Sequence, residues 1–179
     1  IMSQIKVNSI IPVAGVPTGG GGGIIQIKQA VKTDTFSTTS STFTDVTGLS
    51  VSITPTSSTS KILVKVSLGF VSGYASNSST YPHFVLVRGS TEIGKGDASG
   101  NRTDCSFAVL TNLQSGYQGD CGSFEFLDSP ATTSATTYKL QMLSGYQNRT
   151  IYINRMYNDD NETYTTRAAS TFTVMEVSA

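Results

Sequence analysis

The chain has 179 residues, with 12 basic and 12 acidic side chains, a single histidine and no formal net charge. Zero net charge argues against nucleic acid as a main partner, because phosphate recognition needs a basic excess. One histidine leaves little general-base chemistry for an ordinary enzyme. The surplus lies in 25 Ser, 25 Thr and 17 Gly, a composition that favours strands and turns over helices.

Residues 1–18 read as an arm, with Met2 behind Ile1 as the expected natural start. Ile5, Val7, Ile11 and Val13 share one parity, opposite Gln4, Lys6 and Asn8, which is the period of a strand. A lone strand does not hold together in water. The arm is therefore expected to pair with the body, with a neighbouring subunit or with a scaffold. The apolar run over 10–16 is broken by Pro12 and Gly15; it is too short to cross a bilayer and carries no cleavage site of a signal peptide. Gly19 to Gly23 form a linker that reaches at most about 17 Å when extended. It is not a phosphate cradle, because no Gly-Lys-Ser/Thr follows and Gly23 runs into Ile24-Ile25.

From residue 24 to 179 the pattern is strand, turn, strand. Ile24 to Val31 opens it. Leu49, Val51 and Ile53 alternate with serine and threonine until Pro55, and Ile62, Val64, Val66, Leu68 and Phe70 form the longest alternation. Phe84 to Val87 is apolar on both faces, and Gly89-Ser90-Thr91 makes a turn. Phe107 to Leu110, Phe124 to Leu127, Tyr138 to Leu143, Ile151 to Ile153 and Phe172 to Val177 complete the series. The expected fold is all-β: one jelly roll or β-sandwich of about nine to ten short antiparallel strands with an extended N-terminal arm.

Little here points to catalysis, and the reading is that the chain is not an enzyme and takes no cofactor. His83 follows Pro82 and opens an apolar strand, so a structural place at a strand end is expected. Asp104 beside Cys105 would raise a thiol pKa. Cys105 and Cys121 could form a disulfide or remain free thiols, and two cysteines alone make no zinc site. Asn158-Asp159-Asp160-Asn161-Glu162 gathers oxygen ligands that calcium could use, although a solvated acidic turn is the preferred reading. The loops carry tyrosines among Ser, Gly, Asn and Gln, namely Tyr74, Tyr81, Tyr117, Tyr146, Tyr157 and Tyr164. Rigid amphipathic rings among adaptable polar groups are the composition of a recognition surface. The same rings could instead fill a subunit interface or lie on their own sheet. Tyr74, Tyr117, Tyr146 and Tyr157 are the candidate recognition residues.

Several phrases resemble a family. They include Val16-Pro17-Thr18 with the five glycines and Ile24-Ile25-Gln26-Ile27-Lys28-Gln29, then Phe43-Thr44-Asp45-Val46-Thr47-Gly48-Leu49 and Lys61-Ile62-Leu63-Val64-Lys65-Val66. Val87-Arg88-Gly89-Ser90-Thr91-Glu92, Phe126-Leu127-Asp128-Ser129-Pro130, Ile151-Tyr152-Ile153-Asn154-Arg155 and the ending Thr171-Phe172-Thr173-Val174-Met175-Glu176-Val177 extend the match. Together they resemble small virion-surface or tail-fibre-like structural proteins of tailed phages, marine cyanophages in particular, with a body similar to the C1q/TNF-like jelly roll. The resemblance implies a homo-oligomer, with a trimer expected, on the exterior of a phage tail or capsid. It also implies other virion proteins as partners and a host-surface glycan or protein as a contact of the loops. No membrane insertion and no nucleic-acid partner are expected. There is no heptad or Gly-X-Y shaft. The alternatives are a receptor-binding tip module and a self-assembling extracellular filament subunit.

Overall fold

The computed structural model describes residues 23–73, 80–109, 115–145 and 149–178. Among them are eleven strands and no helix: β1 (Ile24–Lys32), β2 (Phe36–Thr38), β3 (Thr44–Ile53), β4 (Lys61–Gly73), β5 (Pro82–Arg88), β6 (Thr91–Ile93), β7 (Phe107–Ala108), β8 (Asp120–Asp128), β9 (Thr136–Ser144), β10 (Ile151–Ile153) and β11 (Ser170–Val177). The all-β expectation holds, but the strand count is higher than the alternation shows. β2 and β6 have three residues each, too few to display a period.

Two antiparallel sheets pack face to face. The first contains β1, β11, β4, β10, β2 and β8, and the second β3, β9, β5, β6 and β7. β4 organises the first sheet. One edge pairs with β11 over Lys61–Ser67 and with β10 over Val71–Gly73, while the other pairs with β8 over most of its length. Alternation then sets the faces. Ile62, Val64, Val66 and Leu68 of β4 enter the core with Phe172 and Val174, facing Leu86, Tyr138, Leu140 and Met142 from the second sheet. β3 keeps its inward set across an irregularity in register between Asp45 and Ser50. Gly48 lies there at φ +85°, a left-handed backbone that glycine adopts at little steric cost.

Near each end of β4 the buried Asp128, Glu176 and Asn154 side chains are hydrogen-bonded. At the Lys61 end the register sets Gln26, Glu176, Ile62 and Asp128 in one row on the inner face. The Asp128 carboxylate accepts bonds from Arg88 Nη1 at 2.7 and 2.9 Å and from the Tyr138 hydroxyl at 2.6 Å, linking β8 to β5 and β9 of the opposite sheet. Burial, reinforced by Asp128, pushes the Tyr138 phenol far up. Burial alone would raise the pKa of Glu176. Its bonds from Gln26 Nε2 at 2.6 Å and from the Thr56 amide and hydroxyl at 2.7 Å outweigh that, and hold it at about 2.

Nearer the Gly73 end, Asn154 is fully buried at φ +65°. Its carboxamide donates to the carbonyls of Lys32 and Asp34 and accepts from Ser170 Oγ at 2.6 Å. Its own amide donates to Phe70 O. These bonds offset a left-handed conformation that costs a non-glycine residue roughly 1 kcal/mol or more. They also fill the gap along β4 between β11 and β10.

Asp128→Ala strands the Arg88 charge and the Tyr138 hydroxyl. It is expected to cost about 3 kcal/mol in urea unfolding, and Tyr138→Phe about 1 kcal/mol. Glu176 is depressed in the folded state, so its contribution is complete above its ordinary value of 4.5. That contribution is lost as pH falls toward about 2, an effect on the order of 2–3 kcal/mol. Glu176→Gln is expected to flatten this stretch of the stability–pH curve.

Candidate functional site

The fold leaves two surfaces whose composition is not that of a solvated sheet. The first is the outer face of β1, β11, β4 and β8. Register aligns Ile27 with Met175, Met175 with Leu63, and Leu63 with Leu127, so one apolar row crosses four strands, about 14 Å. Ile27 is 57% exposed and Leu127 53% exposed, while Met175 and Leu63 are half-buried. The next row reads Gln29, Thr173, Lys65, Glu125, with Lys65 Nζ 2.6 Å from Glu125 Oε1. Beyond it Val31, again more than half exposed, heads a row with Thr171, Ser67 and Ser123. Ile24 and Ile25 continue the apolar character at the start of β1. Among the described residues every large exposed side chain that is apolar and not tyrosine belongs to β1 or β8.

The chain enters the body beside this face. Gly23 N donates to Ser178 Oγ and Ser178 N donates back to Gly23 O, which fixes the first residue of the body against the end of β11. The arm residues Ile5, Val7, Ile11 and Val13 lie outside the described residues.

The second surface joins the loop before β8 to the long loop between β10 and β11. Asn158 N donates to Gly116 O at 2.9 Å. Gly116 is buried, and a Cβ there would lie 2.6 Å from the Asn158 carboxamide oxygen, so a larger residue would displace the Asn158 side chain. Above this junction the Tyr117 hydroxyl donates to Asp160 Oδ2 at 2.6 Å, and that bond raises its pKa. Tyr164 meets Tyr117 edge-on, with centroids 5.4 Å apart and planes at 79°. Tyr157 packs at right angles on Tyr152, whose other contact is the Arg155 guanidinium at 4.5 Å.

The other sequence candidates separate. Tyr74 and Tyr146 lie outside the described residues, whereas Tyr117 and Tyr157 are both exposed. Asp160, considered above as a calcium ligand, instead holds Tyr117. Asp159 is paired with the guanidinium groups of Arg155 and Arg167, which take the place a cation would fill. Among the described residues no group of three or more His, Cys, Asp or Glu side chains is gathered.

Cys105 and Cys121 are free thiols, which corrects the disulfide alternative. Cys105 lies between β6 and β7, and Cys121 is on β8 with Sγ 3.2 Å from Gly69 O. Burial chiefly, with Asp104 adding to it, pushes the Cys105 thiol up, so the direction read from Asp104 holds while its main cause is burial. His83 sits at the start of β5 with its ring against Gly145, and burial lowers its pKa. Tyr164 is the side chain that the candidate set omits. Its loop position was visible in the sequence, but its contact with Tyr117 was not.

No protein-family profile matches the chain, and no curated protein sequence matches it.

Proposed function

We propose that the chain is a homo-oligomeric structural subunit of a phage particle surface, non-catalytic, whose copies associate through the outer face of the first sheet. The observation that supports this reading is the row Ile27–Met175–Leu63–Leu127. A contiguous exposed apolar patch on a β-sandwich costs solubility unless it is covered, and the occupant that fits is a second copy of the same face. Lys65 and Glu125 stand side by side along the border of the row. A second copy turned about an axis between β11 and β4 sets Leu63 against Met175 and Leu127 against Ile27 of its partner, so the whole row is covered while the paired Lys65 and Glu125 border the seam. A chain without net charge also imposes no long-range repulsion between copies. Closed symmetric association is the usual solution for such a patch, and a face that meets its own copy is related to it by a two-fold axis, so a dimer through this face is the form proposed in place of the trimer that the sequence resemblance implies. The arm of residues 1–18, leaving the body at Gly23 beside Ile24, would add its alternating apolar side to a neighbouring subunit or to the particle.

Sedimentation velocity tests the reading. The full chain is expected to sediment as a closed oligomer at micromolar concentration, and the Ile27→Lys/Leu127→Lys variant as a folded monomer. Both positions are exposed in the protomer, so folding is not at stake. A full chain that sediments as a monomer contradicts the proposal, and an open-ended size distribution favours the filament alternative.

A further inference from the structure

Beyond this assembly role, we propose that the platform formed by Tyr117, Tyr164, Asn158 and Asp160 is a binding site for a neutral saccharide. Tyr164 is 59% exposed, yet it is not a loose ring on a loose loop. Thr165 Oγ1 lies 2.8 Å from the carbonyl oxygens of both Asp160 and Glu162, which share its one proton. Glu162 N donates to Asp160 O, and Thr165 N to Glu162 O. The segment is anchored beneath by Arg155 and Arg167 on Asp159 and sideways by Asn158 N on Gly116 O.

The two rings stand nearly perpendicular, and Tyr164, 59% exposed against 36% for Tyr117, is the ring more accessible to a ligand. An exposed ring held rigid loses little entropy when a ligand covers it. The C–H face of a pyranose is apolar, and its hydroxyls need acceptors and donors at the ring's margin. Asp160 offers acceptors, as a carboxylate with capacity left after Tyr117 is bound, the Asn158 carboxamide offers donors, and the exposed Glu162 carboxylate follows two residues on.

Charge selects among sugars. Asp159 is compensated by two guanidinium groups, whereas Asp160 receives a neutral phenol and Glu162 is exposed. The rim is therefore acidic, which disfavours uronic or sialic acids and favours neutral sugars. The geometry needs only one protomer, so it stands or falls independently of the oligomeric assembly.

Affinity electrophoresis in native gels containing dextran, yeast mannan or hyaluronate tests the site. Wild-type protein is expected to be retarded by at least one of the two neutral polymers and not by hyaluronate. Tyr164→Ala should weaken retardation about tenfold, the scale of one lost aromatic stacking contact. Tyr117→Phe, which keeps the ring but frees Asp160, should weaken it by a smaller factor. The Ile27→Lys/Leu127→Lys variant should keep per-protomer binding. Unchanged mobility in both neutral polymers, retardation by hyaluronate alone, or equal retardation of wild type and a folded Tyr164→Ala variant would each overturn the proposal.

Discussion

The body depends on a single long strand. β4 runs from Lys61 to Gly73 and is paired along both edges, by β11 and β10 on one side and by β8 on the other. Because its side chains alternate, burying Ile62, Val64, Val66 and Leu68 in the core commits Leu63, Lys65 and Ser67 to the outside. Neighbouring strands inherit that choice through register, since a slip of one residue would turn every side chain to the wrong face. The exposed row of Ile27, Met175, Leu63 and Leu127 is thus a consequence of how the core is packed. No local rearrangement hides it without exposing Ile62 and its neighbours.

The two ends of β4 are closed by different chemistry. At the Lys61 end two carboxylates, Glu176 and Asp128, flank Ile62 on the inner face. They are satisfied separately, one by neutral donors and the other by Arg88 and Tyr138. Toward the Gly73 end β4 leaves β11 for β10, and Asn154 with Ser170 fills the interval. The long loop that follows Asn154 is bonded to Gly116 through Asn158. It carries Tyr157 and Tyr164, so the tyrosine platform is built on the same junction that completes the sheet.

Much of this architecture is legible in the sequence, for physical reasons that differ from element to element. Ile151–Ile153 and the alternation from Ile62 to Leu68 match β10 and β4 because an apolar residue occupies every inward position. β3 begins at Thr44, earlier than the Leu49–Ile53 alternation indicates, because the irregularity around Gly48 breaks the period. β8 begins at Asp120 because Gly122 and Asp120 continue the ladder, across a register irregularity, without an apolar pattern. The surfaces are a different matter. Ile27 and Leu127 share a row only through two intervening strands, and Tyr117 meets Tyr164 where two loops distant in sequence are joined by the bond from Asn158 N to Gly116 O. Those are properties of register and close approach, which single-chain periodicity does not encode. The alternating apolar side of the arm is visible in sequence alone, since Ile5, Val7, Ile11 and Val13 lie outside the described residues.

The proposed assembly has the outer face of β1, β11, β4 and β8 covered by another copy of the chain. Hydroxyl-radical footprinting of the intact chain reads this directly, because Met175 is an intrinsically reactive probe in the middle of the row. Met175, Leu63 and Leu127 are expected to become protected as protein concentration rises, while Tyr164 stays fully reactive. Modification of Met175 and Leu127 at one undiminished rate across the whole concentration range would contradict it.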